Sequence, residues 1–553
     1  MRGRLRSGLA RGSDAVLNGC APQNRRCIPM ETSLQNPSVP EECDVLVIGG
    51  ALSGAATALL LKRKHPEMRV VLVEKSDALS RRVGEATVEI SGYFLRKVLG
   101  LTRFLTHTQL CKNGLRFWFS NAETGSVSDC AEIGGKYLST IPSFLVDRSQ
   151  MDEEVLRLAR EAGTLVLRPA QVRDVELQPG GFQKLTVQPG GGAATRIRAR
   201  WVIDASGVRC LLARSQGWWK SNTEHPTLSC WSRWKSVRHW DNGPLQDAAE
   251  DKDAFVGLRS TATNHLVGHG WWAWWISLRD GDTSIGVVLD QRLQDWPESR
   301  EAVGEKLRTF LSQHPAARDM MEGAEFQAGD VHFRRNLAYC SEVQCGDGFV
   351  LVGDASAFLD PLYSPGMDWT SFTTCSAVKI LSAWWEKADL ESELQRHQSE
   401  FVISYRRSFE ALYKDKYEYL GDFELLKPAF LMDIALYYLF VVLPVFKLGQ
   451  EQLVHPPYSH PRAGPVFNLM RLYNRRLAAI ARVRKARGDY GRRNARTRFL
   501  FGGFNLRISI LLRAFFKGLW LWGMLEFQEL FRARETAPEP AGPVGASVEN
   551  SAV

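Results

Sequence analysis

Three short apolar runs, each ending in a turn that carries Gly or Asp, constrain this chain more than any other feature. They are VLVIGGALSG at 45–54, VIDASG at 202–207 and FVLVGDA at 349–355. A continuous run of aliphatic residues is the pattern of a strand buried on both faces. A glycine turn directly behind it opens a helix whose N-terminal N–H groups can hold a phosphate. In the first run the Gly-x-Gly-x-x-Gly fingerprint falls on Gly49, Ala51 and Gly54, with Gly50 and Ser53 between them. Ala51 replaces the middle glycine, and its methyl narrows the approach of a pyrophosphate to the backbone without closing it. A helix is expected over 55–64, then a second strand over 70–73 that ends in Glu74. A carboxylate at this distance after the glycines accepts hydrogen bonds from an adenosine ribose. One such turn carries little weight, but three in this order with Glu74 predict a parallel-sheet, dinucleotide-binding domain interrupted by other structure.

The later turns narrow the dinucleotide. FVLVGDA resembles the Gly-Asp motif of FAD-dependent monooxygenases and their relatives, in which the aspartate, here Asp354 after Gly353, holds the ribityl chain. VIDASG, with Leu211 to Arg214 behind it, resembles the strand-end motif that closes over FAD. Asp147-Arg148-Ser149 followed by Asp152 recurs in the same superfamily before a helix of the FAD domain. On the residues alone this last segment is a helix start, with Ser149 as N-cap and Asp152 at the capping-box position. Three more segments point to one branch. GEAT at 84–87, WAWWIS at 272–277 and DPLYSPG at 360–366 resemble, in turn, three segments of flavin-dependent halogenases of the tryptophan-halogenase type. These are the segment along the flavin, the Trp-x-Trp-x-Ile-Pro signature and the segment beside the isoalloxazine. The resemblance covers roughly residues 42–385.

That resemblance implies an α/β fold. A Rossmann-like FAD-binding domain (43–135, 145–225, 335–385) is interrupted by an antiparallel-sheet substrate domain over about 226–334, and a helical C-terminal region follows at 386–535. It implies FAD contacts at Gly49, Gly50, Ala51, Ser53, Gly54, Glu74, Lys75, Glu85, Ala86, Arg148, Gly353, Asp354, Gly366 and Met367. The chemistry implied is oxidation of chloride or bromide with reduced FAD and O2, giving a hypohalous acid that passes through a tunnel to a lysine. The lysine directs it at an electron-rich aromatic small molecule. No second glycine-rich fingerprint for a nicotinamide is visible, so a separate flavin reductase is the expected electron source. Lys112 stands at about the family's position for the lysine, ahead of an alternating strand with Leu115, Phe117 and Phe119 on one face. Its bland reading is a surface lysine at a strand start.

The departures from the family pattern matter as much. Ser364 and Gly366 would border the halide, but Pro365 between them has no N–H to offer. Tyr363 stands where tryptophan-specific members carry a glutamate, which argues against free tryptophan and for a phenolic or pyrrolic ring. Ser277 replaces the proline of the aromatic signature, whose tryptophans at alternating positions also fit the core of a sheet hairpin. The alternative function is an FAD-dependent monooxygenase or a geranylgeranyl-reductase-type enzyme acting on a lipid-like substrate.

Outside these motifs the chain is basic at both ends. Residues 1–42 read as a basic, disordered tail, in which 1–29 are either upstream of a start at Met30 or a transit-like segment for organelle import. Ten cysteines and eleven histidines show no paired ligand spacing, so no metal site is expected and a reducing, cytoplasmic setting fits. The stretch 471–498 holds eleven Arg or Lys against one Asp, and 499–531 alternates aromatics and leucines with Arg507, Arg513 and Lys517. This pattern fits peripheral contact with an anionic membrane, or a helical cap over the substrate pocket. The apolar stretch 429–446 contains Asp433 and Pro444 and is short for a span. No nucleic-acid module accompanies the charge. Residues 536–553 read as a disordered tail.

Overall fold

In a computed structural model of the protein, the residues described are 39–242, 245, 259–296 and 302–535. The tails expected at 1–42 and 536–553 lie outside them, apart from 39–42, where the first strand begins.

The three apolar runs become neighbours in one sheet. Its strand order is Cys345–Gly346, Phe349–Leu351, Thr195–Asp204, Glu42–Ile48, Val70–Val73, Leu165–Leu167. All neighbours in this series are parallel except the edge pair Cys345–Gly346 and Phe349–Leu351. Register aligns Ile48 with Asp204 on one side and Val73 on the other, and Asp204 with Leu351. The Gly49, Glu74, Ala205 and Gly353 turns therefore leave the sheet side by side at its carboxyl edge. The chain winds outward in both directions from Glu42–Ile48, the arrangement that opens a ligand crevice in such sheets. Helix Leu52–Lys64 covers one face, with Ala55, Ala56, Ala58 and Leu59 fully buried. Helix Gly366–Trp385 packs beside it, where the His65 ring and the Ser382 hydroxyl lie 2.9 Å apart.

A second sheet holds the hairpin expected around the tryptophans. Trp271–Ser277 pairs antiparallel with Thr283–Asp290, and Thr227–Lys235 and Thr263–Gly268 flank them. The sheet extends past the 226–334 interval. It also takes in Leu115–Phe119 and Ala131–Gly135, read from sequence as part of the first domain, and Arg498–Phe501 from the region read as wholly helical. Leu115–Phe119 joins by a parallel pairing with Thr263–Gly268. The pleat places Phe117, Phe119, Trp272 and Trp274 in the core shared with the first sheet, while Trp118, Ala273 and Trp275 fill a separate core on the other face. The tryptophans are thus packed core, with the even-numbered pair turned toward the FAD-type domain.

The C-terminal helices close over this junction. They are Leu390–Ser408, Phe423–Tyr437 with its continuation to Leu448, Gly464–Arg487 and Ile508–Glu535. The buried guanidinium of Arg484 ties them together, reaching Asp422, Glu424 and Glu529 at 3.2, 3.0 and 2.9 Å.

Candidate active site

The first turn is shaped by close backbone approach. Gly49 has φ +105°, and a Cβ on it would stand 2.5 Å from the Ala205 carbonyl oxygen; one on Gly54 would stand 1.9 Å from the Gly49 oxygen. Only glycine fits either place. The Gly50 N–H donates to Glu74 Oε2 at 2.7 Å, so Glu74 is drawn against the glycine turn at the strand ends. Across the crevice the Asp204 carboxylate accepts from the N–H groups of Ser206 and Leu212 at 2.9 and 2.8 Å and fixes the second turn. At the third, the Tyr339 hydroxyl donates to the Asp354 carbonyl at 2.7 Å. The Asp354 carboxylate accepts no hydrogen bond from the protein among the described residues, and it lines the main cavity. Burial raises its pKa above the ordinary carboxylate value, against the pull of the Arg148, Arg334 and Arg82 charges. An unmet carboxylate at this place suits a polyol chain, while the Gly49–Gly54 turn and Glu74 suit a pyrophosphate and a ribose.

Arg148 serves this crevice from the flank. Its guanidinium pairs with Asp152 at 3.0 and 3.1 Å and donates to the Val83 carbonyl at 3.2 Å, clasping the turn before Glu85. The helix start differs from the sequence reading. Asp147, not Ser149, is the N-cap of Arg148–Glu161, accepting from the Ser149 and Gln150 N–H groups, and Asp152 answers Arg148 instead of closing a capping box. A carboxylate accepts these N–H bonds better than a hydroxyl and adds a favourable charge at the helix dipole. Asp147 also meets Arg233 at 3.0 Å, and Arg233 donates to Glu85 at 2.6 and 3.1 Å. This buried Glu85–Arg233–Asp147 network joins the second sheet to the flavin-type segment; nothing in the local sequence singles out Arg233.

Lys112 is buried. It ends the strand Leu110–Lys112, and its Nζ donates to the Thr87 carbonyl of the GEAT segment at 2.8 Å. Burial lowers its pKa to about 8, with the nearby Glu89 and Asp368 carboxyls pulling the other way. The bland surface reading is therefore incorrect. Lys112, Asp354 and Gly366 line one cavity with Glu89 and Asp368. Asp368 accepts from the Ser91 N–H and the Tyr437 hydroxyl, both at 2.8 Å, and burial pushes its carboxyl to about 7. Tyr438 donates to Glu89 at 2.6 Å. Glu89, Asp368, Tyr437 and Tyr438 were not legible as site residues, since their partners come from distant segments. Among the described residues no group of His, Cys, Asp or Glu is placed to hold a metal.

Comparison with known proteins decides the lineage. The profile described as tryptophan halogenase matches residues 44–128 and 121–413, more than half of the chain. The chain belongs to the tryptophan-halogenase family. Among its relatives, the sulochrin halogenase gedL of Aspergillus terreus is 26% identical over 373 residues, 63% of this chain and 64% of that protein. The flavin-dependent halogenase armH5 of Armillaria mellea is 26% identical over 60% of this chain and 62% of its own length. The chain thus matches less than two thirds of the length of these relatives. Of solved structures, the halogenase PltM superposes with a TM-score of 0.68 at 16% identity, covering 87% of this chain and 96% of that one. The chondrochloren halogenase CndH gives 0.57 at 19% identity, covering 78% and 98%. At these identities the two structures speak for the fold.

The segment 363–366, read from sequence as departing from the tryptophan-halogenase pattern, lies in the turn after Asp354. Tyr363 and Ser364 both adopt left-handed backbone, φ +70° and +60°, a conformation that costs non-glycine residues energy. The Ser364 N–H is engaged by the Pro361 carbonyl at 2.9 Å, and Pro365 has none, so of the three consecutive residues Gly366 alone has an N–H with no acceptor among the described residues. The Tyr363 hydroxyl donates to Asp433 Oδ2 at 3.1 Å, and the same carboxylate holds the buried Lys416 ammonium at 2.6 Å. Tyr363, read from sequence as standing where tryptophan-specific members carry a glutamate, is thus an anchor to the C-terminal helices. Asp360 is held by His225 and Tyr417 at 2.7 and 2.9 Å, and Tyr417 accepts from the Trp272 indole at 2.8 Å, linking the tryptophan strand to the same turn.

Proposed function

We propose that the protein is an FAD-dependent halogenase acting on an electron-rich aromatic small molecule, with reduced FAD supplied by a separate reductase. The observation that carries the reading is Lys112: a fully enclosed amine, fixed on the GEAT backbone, facing the cavity that begins at Asp354 and Gly366. FAD is the cofactor the residues fit. Gly49, Gly50, Ala51, Ser53 and Gly54 would take its pyrophosphate, Glu74 with Lys75 the adenosine side, Asp354 with Gly353 the ribityl chain. Glu85, Ala86, Arg148, Gly366 and Met367 would border the ring. When bound, it supplies the oxidation of halide by O2. The protein's own part is positioning. Lys112 points its N–H groups at one place in the cavity, which holds the oxidised halogen at a fixed distance from the ring. Gly366 offers the N–H on the halide side, with Ser364 contributing no N–H. Tyr363 in place of a glutamate supports a phenolic or pyrrolic ring over free tryptophan; the phloroglucinol bound by PltM is a ring of this class. The matches to halogenases do not favour a lipid reductase.

The test is Lys112→Ala. Halogenated product is expected to vanish while reduced FAD is still consumed by O2 at the wild-type rate. Retention of product, or loss of FAD binding together with product, would refute the role given to Lys112.

A further inference from the structure

The last helix, Ile508–Glu535, is built inside out. A surface helix ordinarily turns its apolar stripe inward and its polar face outward. Here Leu511, Gly518 and Leu525 recur every seven residues and are buried, and Gly518 lies against Met432 and the Pro428 carbonyl. The opposite face is apolar as well. Ile508, Leu512, Phe516, Trp520, Met524 and Phe527 follow at spacings of four and three and share that face, with Phe516 60% and Trp520 63% exposed. Three residues beyond Phe527, Leu530 is 63% exposed. Continuous exposure of this kind marks an interaction surface.

Charge says what covers it. Among the described side chains the acids of the helix are taken: Glu526 by Arg476 and Glu529 by Arg484 and Arg487. Arg507, Arg513 and Lys517 are exposed and have no carboxylate partner among the described residues. Lys517 sits over the Phe499 ring at 4.9 Å; burial lowers the pKa of the neighbouring Lys427, Glu424 opposes this, and the charges of Lys517 and Arg493 add to it. Unneutralised cations crowd one flank of an exposed apolar stripe, the complement of anionic headgroups above acyl chains. A second copy of the chain would instead meet these cations with cations. The helix is long enough to cross a bilayer, but Gly518 seats its inner face on Phe423–Tyr437 and Glu526 and Glu529 tie its far end to Gly464–Arg487, which suits lying along a membrane surface over crossing it. The cavity reaches the surface close by. Gly503 and Phe504 line it four to five residues before Ile508, as does Tyr137, which is 60% exposed beside the exposed Leu138.

We propose that the outer face of Ile508–Arg532 docks the protein on an anionic lipid surface, with the cavity opening at the docked side. The inference does not rest on the reaction assigned above. Flotation of the full-length protein with phosphatidylcholine vesicles, with and without phosphatidylglycerol, tests it. Wild type is expected to float with the anionic vesicles and to be released by salt. Phe516→Glu/Trp520→Glu should cut the floated fraction about tenfold, and Arg513→Glu/Lys517→Glu should do so for anionic vesicles, since each basic residue adds ~1 kcal/mol at such a surface. All four positions are exposed, so thermal midpoints should stay at the wild-type value. Wild type remaining in the soluble fraction with both vesicle types would overturn the proposal. So would floating that is unaffected by either double variant, or a concentration-dependent dimer that Phe516→Glu/Trp520→Glu dissociates without any vesicle binding.

Discussion

Enclosure decides what Lys112 can do. An ammonium out of water titrates early, and with its pKa lowered to about 8 the side chain changes charge at the edge of the physiological range. If the protonated form positions the halogen, ring halogenation per flavin oxidised should fall as pH rises through about 8; a rise over that window would show that the neutral amine is the working form. Asp368 gives a second signature, this one in stability. Its carboxyl is raised from 3.8 to about 7, so between those values the folded protein holds a proton that the unfolded chain has released. The stability from this site is present at low pH and is lost as pH rises through about 7. Asp368→Asn keeps an acceptor for the Ser91 N–H and removes the buried charge. It should match wild type near pH 4 and exceed it at pH 8 by roughly 4 kcal/mol, about three pKa units at ~1.4 kcal/mol each, in denaturant titrations; equal stability at both pH values would contradict the raised pKa. Neither effect is readable from sequence. Lys112 could be picked out by its place after GEAT, but its burial depends on the pairing of Leu110–Lys112 with Ser143–Leu145. The partners of Asp368 lie 277 and 69 residues away.

Elements were legible where burial is two-sided and blurred where a strand is short or shared. VLVI, VVLV and FVL have nothing to expose, so each could only be an interior strand, and the glycine that follows marks its end. Arg498–Phe501 is four residues inside a basic stretch, and its pairing with Ala131–Gly135 is set by a distant partner. The chemistry at the strand ends is correspondingly unforgiving. Gly54→Ala puts a methyl 1.9 Å from the Gly49 oxygen, so the helix must shift. FAD content of the purified variant is expected to collapse, and normal FAD content would contradict the tight turn. The Glu85–Arg233–Asp147 network joins two elements that the sequence reading kept apart. Arg233→Ala strands two buried carboxylates and should cost about 3–5 kcal/mol by chemical denaturation; a loss under about 1 kcal/mol would mean that water replaces the guanidinium.

At the scale of the molecule, three assemblies converge on one cavity: the turns at the carboxyl edge of the parallel sheet, the second sheet at Leu115 and Gly135, and the helices that carry Asp433, Tyr437 and Tyr438. The first two were expected because their motifs are local. The third was offered only as a helical cap, with no residue of it placed in the pocket, because Phe423–Leu448 reads as an apolar helix, and its polar residues gain meaning only when Tyr363, Asp368 and Glu89 are brought against them. The left-handed Tyr363-Ser364 turn is anchored through Asp433 and lies beside Gly366, where the proposed function puts the halide. The central claim therefore meets its hardest test in product mass. Purified protein is incubated with FAD, a flavin reductase, NADH, O2, chloride or bromide and a panel of phenols, pyrroles and indoles. A product bearing the chlorine or bromine isotope pattern, dependent on protein, halide and reductase, is the predicted result. Hydroxylated or unchanged rings, with FAD bound and turning over, would contradict it.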